Sequence, residues 1–161
     1  MHKLLFSVLM IVVWWLLHAM QMDEELAMGT LHEGKRAIDR AAHAAAQQVD
    51  RDKLEIGILS IAPGAARSTA LDYLQANLRL GPDLEPVPGS WLRERLEVRV
   101  FEVINEDVMF PYTYRNLAYD YEVTLDRPGV ILIAHLKYPR VFGVLAPVEW
   151  DLKGTAELVY T

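Results

Sequence analysis

A histidine next to a glutamate is the first candidate for chemistry in this chain. His32-Glu33 matches the start of the zinc-protease motif H-E-x-x-H, in which two histidines one helical turn apart bind a zinc ion. Position 36 is Arg36, so the second ligand is missing. His43 lies on the same predicted helix face but about 16 Å away at 1.5 Å per residue, too far to bind the same ion. We therefore predict no metal site here and expect both histidines to be solvated.

The remaining nucleophiles and bases have no catalytic motif. The chain has no cysteine, which excludes disulfides, thiolate metal sites and a cysteine nucleophile. Ser60, Ser68 and Ser90 lack a G-x-S-x-G context, and there is no glycine-rich phosphate loop. His135 lies in a predicted apolar strand, where a hydrogen-bonded core or edge histidine is expected rather than a catalytic base. We predict that the protein is not an enzyme and binds no cofactor.

Charge and length limit the functional classes further. The formal net charge is −6, and no block of five or more Lys/Arg residues occurs. We therefore expect no nucleic-acid partner. The 161 residues are consistent with one folded domain, but the first fifty differ in composition from the rest. We expect one folded unit with an N-terminal appendage.

An aromatic segment, NEDVMFPYTYRN at 105–116, is the best candidate for recognition. Phe110, Tyr112 and Tyr114 form a contact loop if their rings are exposed. Alternatively, the segment is a hairpin connection whose aromatic side chains fold back on the sheet. The sequence supports both interpretations equally.

The N-terminus predicts a membrane anchor. Ser7 is the only polar residue between Leu4 and Leu17, and extending the apolar segment to Met22 gives nineteen residues. About 20 residues are needed to cross a bilayer core. No good small-x-small cleavage site follows, so we predict a retained signal anchor over residues 1–22 rather than a cleaved signal peptide or a buried core helix. The anchor residues are Leu4, Leu5, Phe6, Val8, Leu9, Ile11, Val12, Val13, Trp14, Trp15, Leu16 and Leu17.

Charges on either side of the anchor predict its orientation. Lys3 precedes the apolar segment, and Asp23, Glu24 and Glu25 follow it. Because positive flanks stay in the cytoplasm, we expect a single-pass protein of the cytoplasmic membrane with the N-terminus inside and the C-terminal domain outside.

An alanine-rich helix is predicted to continue the anchor as a stalk over residues 23–50. Apolar residues recur there at three- and four-residue steps, which is helical periodicity. Alanine side chains allow another backbone to come close, so we predict a helix-packing interface. Its partner is either the protein's own sheet or the equivalent helix of a neighbouring copy. The interface residues are Leu31, Ile38, Ala41, Ala42, Ala45 and Val49.

Residues 51–161 are predicted to form an extracytoplasmic α+β head. A second helix fits residues 64–80, with Ser68 as its N-cap. Four segments with period-two alternation follow at 95–104, 117–125, 130–138 and 148–160, with a bulge in the first. Arg127-Pro128-Gly129-Val130 predicts a type II turn that joins the middle two as a hairpin. We expect a four-stranded, mainly antiparallel sheet with one face covered by helices.

The order of these features resembles the TadE/TadG-like minor pilins of the tight-adherence type IV pilus system. The resemblance is carried by Ala37, Asp39, Arg40, Ala41, Ala42, Ala44, Ala45 and Ala46, which are similar to the A-x-D-x-A-A-x-A-A pattern that follows the membrane helix in that family. It implies a pilin-like fold and other pilin-like subunits or secretion machinery as partners, with a homo-oligomer as one form. Met1–Met22 contains no glycine and no acid, unlike the leader of such prepilins. We therefore expect an assembly factor that stays anchored.

Two functions are consistent with this sequence. The first is a single-pass, pilin-like structural or assembly component of a Tad-type pilus or a secretion pseudopilus. The alternative is a membrane-anchored binding or sensing module that uses the 105–116 loop.

Overall fold

The computed structural model describes residues 2–138, 140–142 and 146–159. The helices are α1 (His2–Ala46), α2 (Arg51–Glu55) and α3 (Pro63–Leu78). The strands are β1 (Glu97–Ile104), β2 (Tyr112–Asn116), β3 (Tyr121–Leu125), β4 (Gly129–Tyr138) and β5 (Val148–Glu157), with a 3₁₀ turn at Leu117–Tyr119. The fold class is α+β, as predicted.

Helix α1 joins the predicted anchor to the predicted stalk without interruption. It has 45 residues, which corresponds to about 67 Å at 1.5 Å per residue. No proline lies within it, and neither Gly29 nor Gly34 breaks it. The chain then reverses near residue 49, where Val49 forms an isolated antiparallel bridge with Ile61.

Helix α3 confirms the second predicted helix, but its N-terminus differs from the prediction. The N-cap residue is Ala62, with Pro63 in the first helical turn, so Ser68 lies inside the helix. Proline fits there because its fixed φ suits the helix and its missing N–H is not needed in the first turn. The helix ends at Arg79, which adopts a left-handed conformation with φ 53°.

The strands form two sheets instead of the single four-stranded sheet that we predicted. One sheet has the antiparallel order β1-β4-β5, and the other is the hairpin β2-β3. The predicted 125–130 hairpin is wrong because β3 pairs with β2 and not with β4. Strand β2 was predicted as a loop. The predicted bulge in β1 is confirmed, at Val98/Val100.

Strand β4 is the centre of the head and is covered on both faces. Val130, Leu132, Ala134 and Leu136 belong to the main core with α1 and α3. Ile131 and Ile133 belong to a second core with the β2-β3 hairpin, including Tyr114 and Leu125. The expectation of one covered face is therefore wrong, because the aromatic hairpin supplies the second cover. The head has three layers: helices, the three-stranded sheet and the hairpin.

The predicted stalk is part of the head. Ten residues of α1 are buried, from Asp23 to Ala46, and those from Ala37 onward lie in the main core. Residues 23–46 are therefore not a free-standing stalk. We call the edge of the head at Asp23 the base and the edge at Ala46 the tip.

Candidate functional site

The N-terminal half of α1 is bare. Every side chain from Leu4 to Leu17 is exposed, with exposed fractions among the apolar residues from 42% at Val13 to 73% at Leu4. These are the predicted anchor residues, and the head covers none of them. By length and composition this half of α1 is suited to crossing a membrane.

The C-terminal half of α1 is embedded in the head. Ile38, Ala41, Ala42 and Ala45 have exposed fractions of 0%. Leu31 and Val49 are partly buried against the same core. The predicted interface packs against the protein's own sheet and not against the equivalent helix of a neighbouring copy. The four fully buried side chains are not available to a neighbouring copy.

Small residues allow α1 to lie directly against the sheet. A Cβ on Gly154 of β5 would lie 2.8 Å from Ile38 Cγ2 and 3.2 Å from the Ile38 carbonyl oxygen. A Cβ on Gly34 of α1 would lie 3.0 Å from a methyl group of Leu152. Helix backbone and strand backbone thus meet with almost no side chain between them, which explains why this helix is rich in alanine.

A second surface of α1 remains uncovered where the helix passes the base of the head. Trp15, Met22 and Leu26 are 64%, 50% and 47% exposed, and Gly29 has no atom within 4 Å of its Cβ position. Their spacing of seven, four and three residues puts them on one helix face. We call these four residues the bare stripe. It continues beyond the acidic residues that end the apolar segment, so a bilayer core does not account for all of it.

The junction between anchor and head is held by a buried carboxylate. Asp23 is 2% exposed. Its Oδ1 accepts a hydrogen bond from the Val141 backbone N–H at 2.7 Å, and Oδ2 lies 3.8 Å from Arg140 Nη1. Burial, together with the nearby Asp23 carboxylate, raises the pKa of Tyr138 in the same cluster. From the sequence, Asp23 could be recognised only as the residue that ends the apolar segment. Its burial could not be predicted, because its partners Arg140 and Val141 are 117 and 118 positions away.

The predicted contact loop is mostly core. Tyr114 is 6% exposed, and its hydroxyl bonds to Glu102 at 3.1 Å and accepts from Asn116 at 3.1 Å. Phe110 and Tyr112 are partly buried against Ile104 and the same hairpin core. Burial favours the second interpretation for Tyr114, whereas Phe110 and Tyr112 remain partly exposed. Antiparallel pairing of β2 with β3 turns Tyr112 and Tyr114 toward β4.

The tip carries exposed apolar residues beside a charged contact. Leu54, Ile56 and Ile58 are 50%, 72% and 37% exposed. Lys53 Nζ bonds to Glu106 Oε1, and this hydrogen bond lowers the pKa of Glu106 from its ordinary 4.5 to about 2. Helix α2 is thereby attached to the segment that follows β1.

The histidines His32, His43 and His135 lie on two different elements, α1 and β4. His32 and His43 are exposed on α1. His135 is half-buried on the central strand β4 and bonds to Asp151 of β5 at 3.0 Å. A solvent-open groove of about 460 Å³ is lined by His32, Glu33, Arg36, Arg40 and Asn77, among others, and Arg40 there donates to Asn77 at 3.0 Å. Among residues 2–138, 140–142 and 146–159, no group of three or more His, Asp or Glu side chains is placed to hold a metal ion.

Comparison with protein-family profiles, with curated proteins and with solved structures finds no match to this chain.

Proposed function

We propose that the protein is a single-pass, membrane-anchored, pilin-like structural component that assembles with other helix-anchored subunits of a Tad-type pilus or secretion pseudopilus. It has no catalytic role in this proposal. The N-terminus lies in the cytoplasm and the head lies outside, as the positions of Lys3 and of the acids after Met22 favour.

The observation that supports this function best is the division of α1. One unbroken helix of 45 residues exposes its apolar N-terminal half and buries its alanine-rich C-terminal half in an α+β head. The core contacts of Ile38 and Ala42 fix the head to the helix, so the head and the anchor act as one rigid body. A structural subunit needs this rigidity because contacts made by its helix then set the position of its head.

The bare stripe supports assembly and replaces the alanine face as the expected contact surface. Met22, Leu26 and Gly29 extend it past the membrane boundary, where apolar side chains gain from being covered. Gly29 lets another helix approach closely, as small residues do in membrane helix pairs. We expect a neighbouring helix to lie along Trp15, Met22, Leu26 and Gly29.

Cross-linking through single cysteines tests this proposal, because the native chain contains no cysteine. Leu26→Cys places a thiol on the bare stripe. Glu24→Cys is the matched control, because it is exposed at nearly the same height but about 200° around the helix, at 100° per residue. Both variants are oxidised in native membranes, and the products are identified by mass spectrometry.

We expect Leu26→Cys to form a cross-link to this chain or to another single-pass subunit several times more efficiently than Glu24→Cys. Gly29→Leu, added to Leu26→Cys, should reduce that yield without lowering the denaturant concentration at which the head unfolds. Equal yields from the two cysteines, or none from either, would refute assembly through this face.

A second candidate function is an anchored binding module. The observation that favours it is the exposed apolar group at the tip, Leu54, Ile56 and Ile58, rather than the aromatic rings of the 105–116 segment. Ile56→Ser distinguishes the two candidates. Loss of a specific partner with helix cross-linking intact would favour the binding module, whereas an unchanged set of partners would favour the assembly component.

A further inference from the structure

A short apolar segment lies beside α1 at the base of the head. Val141 and Phe142 are 62% and 46% exposed. They are held in place by the hydrogen bond from Val141 N–H to Asp23, and by Arg140, whose Nε donates to the Ala146 carbonyl at 2.9 Å. The segment is therefore attached to α1 at the residue where the apolar part of the helix ends.

The cover over α1 extends below Asp23. Residues 2–18 are all exposed, whereas Ala19 and Met20 are partly covered. Ala19 and Met20 precede Asp23 by four and three residues, so they lie on the same side of the helix. Partial cover thus begins about 6 Å below Asp23, at 1.5 Å per residue.

The length of the apolar segment places this region in a membrane. If the bilayer core ends at Met22, Asp23 lies directly at its surface. If the core ends at Leu17, Asp23 lies about 9 Å above it, at 1.5 Å per residue. The polar layers add about 10–15 Å to a core of about 30 Å, or roughly 5–8 Å on each side. The fourteen residues from Leu4 to Leu17 span only about 21 Å, too short for a core of about 30 Å, so the boundary near Met22 is favoured and a segment bonded to Asp23 lies at the polar layer of the outer leaflet.

We infer that Val141 and Phe142 form a second membrane contact, inserting into the boundary between headgroups and acyl chains of the bilayer that α1 crosses. Their large exposed apolar surfaces gain free energy there. The half-buried Trp150, whose ring stacks on the buried Tyr138 with centroids 6.5 Å apart, places a partly exposed tryptophan near the base, where interfacial tryptophan is favoured. Because head and anchor move as one body, the contact limits how far that body tilts in the membrane. This inference rests on the membrane anchoring proposed above.

A fluorescent probe in proteoliposomes tests the second contact. The full chain carries Phe142→Cys, labelled with an environment-sensitive fluorophore, in vesicles that contain lipids with a quencher on the acyl chain. Ile56→Cys at the tip is the matched control, since it replaces another exposed apolar residue, 72% exposed. Leu9→Cys reports on the anchor itself.

We expect the probe at position 142 to show blue-shifted emission and several times more quenching than the probe at position 56. Asp23→Ala should lower quenching at position 142, because it removes the hydrogen bond that attaches Val141 to α1. Quenching at position 9 should stay unchanged, because the anchor remains in the bilayer. Equal, water-like emission at positions 142 and 56 would overturn the inference. Blue-shifted emission at position 142 without quenching would also overturn it, because another protein would then cover the residue. If the protein does not float with the vesicles, membrane anchoring itself is refuted.

Discussion

The two halves of α1 are both rich in apolar residues, but only one of them finds its partner within the chain. From Ala37 to Ala46 the apolar side chains are alanine and isoleucine, and all but Ala44 are buried in the head. From Leu4 to Leu17 they are leucine, valine, isoleucine, methionine, phenylalanine and tryptophan, and all are exposed. Side-chain size therefore separates the halves. Small residues permit backbone contact with a folded sheet, and large ones present area to a surrounding apolar phase.

This difference shows which contacts stabilise the head. The buried half contributes little side-chain area per residue, so its stability depends on close fit to the sheet. The exposed N-terminal half adds nothing to the stability of the head, because its apolar side chains gain free energy only when a lipid or protein surface removes them from water. Substitutions in the first half should change the unfolding free energy of the head, and substitutions in the second should not.

The largest expected effect follows from enlarging the alanine face. Ala42→Leu with Ala45→Leu adds bulk at two positions that are 0% exposed. Overpacking costs about 1–3 kcal/mol per site, so we expect a loss of about 2–6 kcal/mol in the free energy of unfolding. Urea denaturation in detergent micelles, followed by tryptophan fluorescence, measures it. Leu9→Ala in the bare half is the control and should leave the midpoint unchanged. A double variant as stable as the native chain would show that the alanine face is not closely packed.

Glycine-to-alanine changes provide a matched pair of opposite sign. In Gly154→Ala the new Cβ would lie 2.8 Å from Ile38 Cγ2 and 3.2 Å from the Ile38 carbonyl oxygen, so we expect a loss of about 1–3 kcal/mol. In Gly29→Ala the Cβ meets nothing within 4 Å, and helix propensity predicts a gain of up to about 1 kcal/mol. Thermal unfolding of the two variants in parallel compares them. A destabilising Gly29→Ala would mean that the bare stripe is covered by the head.

Elements with a strong hydrophobic period could be predicted from the sequence. Helix α1, helix α3 and strands β1, β4 and β5 follow from apolar residues at helical or alternating spacing, and the structure confirms them. The bulge in β1 was visible as a change of phase between Val98 and Phe101. These features depend on the spacing of apolar residues within one segment, which can be read directly from a single sequence.

Pairing between distant segments could not be predicted in the same way. Strand β2 consists of YTYRN, which has few aliphatic residues, and its place is decided by Ile131 and Ile133 on a strand that follows it. The Pro128-Gly129 pair does not form the predicted type II turn, because Gly129 lacks the positive φ that this turn needs; the chain bends there and passes from one sheet to the other. The burial of Asp23 depends on Arg140 and Val141, which no local pattern connects with it. Sequence spacing alone also left both partners of the alanine face open.

A buried polar contact at the tip tests whether close fit alone holds the C-terminal half of α1. Asn105 is 8% exposed and bridges Ile61 by accepting from its N–H and donating to its carbonyl, both at 2.9 Å. Removing the amide leaves two backbone groups without their partner, so we expect Asn105→Ala to cost about 2 kcal/mol or more. The control is Thr113→Ala, which removes an exposed contact between the hydroxyls of Thr113 and Thr124 and should cost about 1 kcal/mol or less. If denaturant titration gives the same loss of unfolding free energy for both variants, burial of the Asn105 contact does not increase its contribution to stability.

The smallest expected effect comes from the charged contact at the tip, between Lys53 and Glu106. Because the pKa of Glu106 is lowered from 4.5 to about 2 in the folded protein, its contribution is complete above pH 4.5 and is lost as the pH falls toward 2. The side chains are 40% and 36% exposed, so solvent screening limits this contribution to about 1 kcal/mol or less. We expect Glu106→Gln to be slightly less stable than the native chain at pH 7 and equal to it near pH 2, with the gap reduced in high salt. Urea titrations at both pH values measure the gap. A cost at pH 7 as large as that of the Ala42→Leu, Ala45→Leu pair would mean that this exposed ion pair stabilises the head as strongly as the close packing of α1.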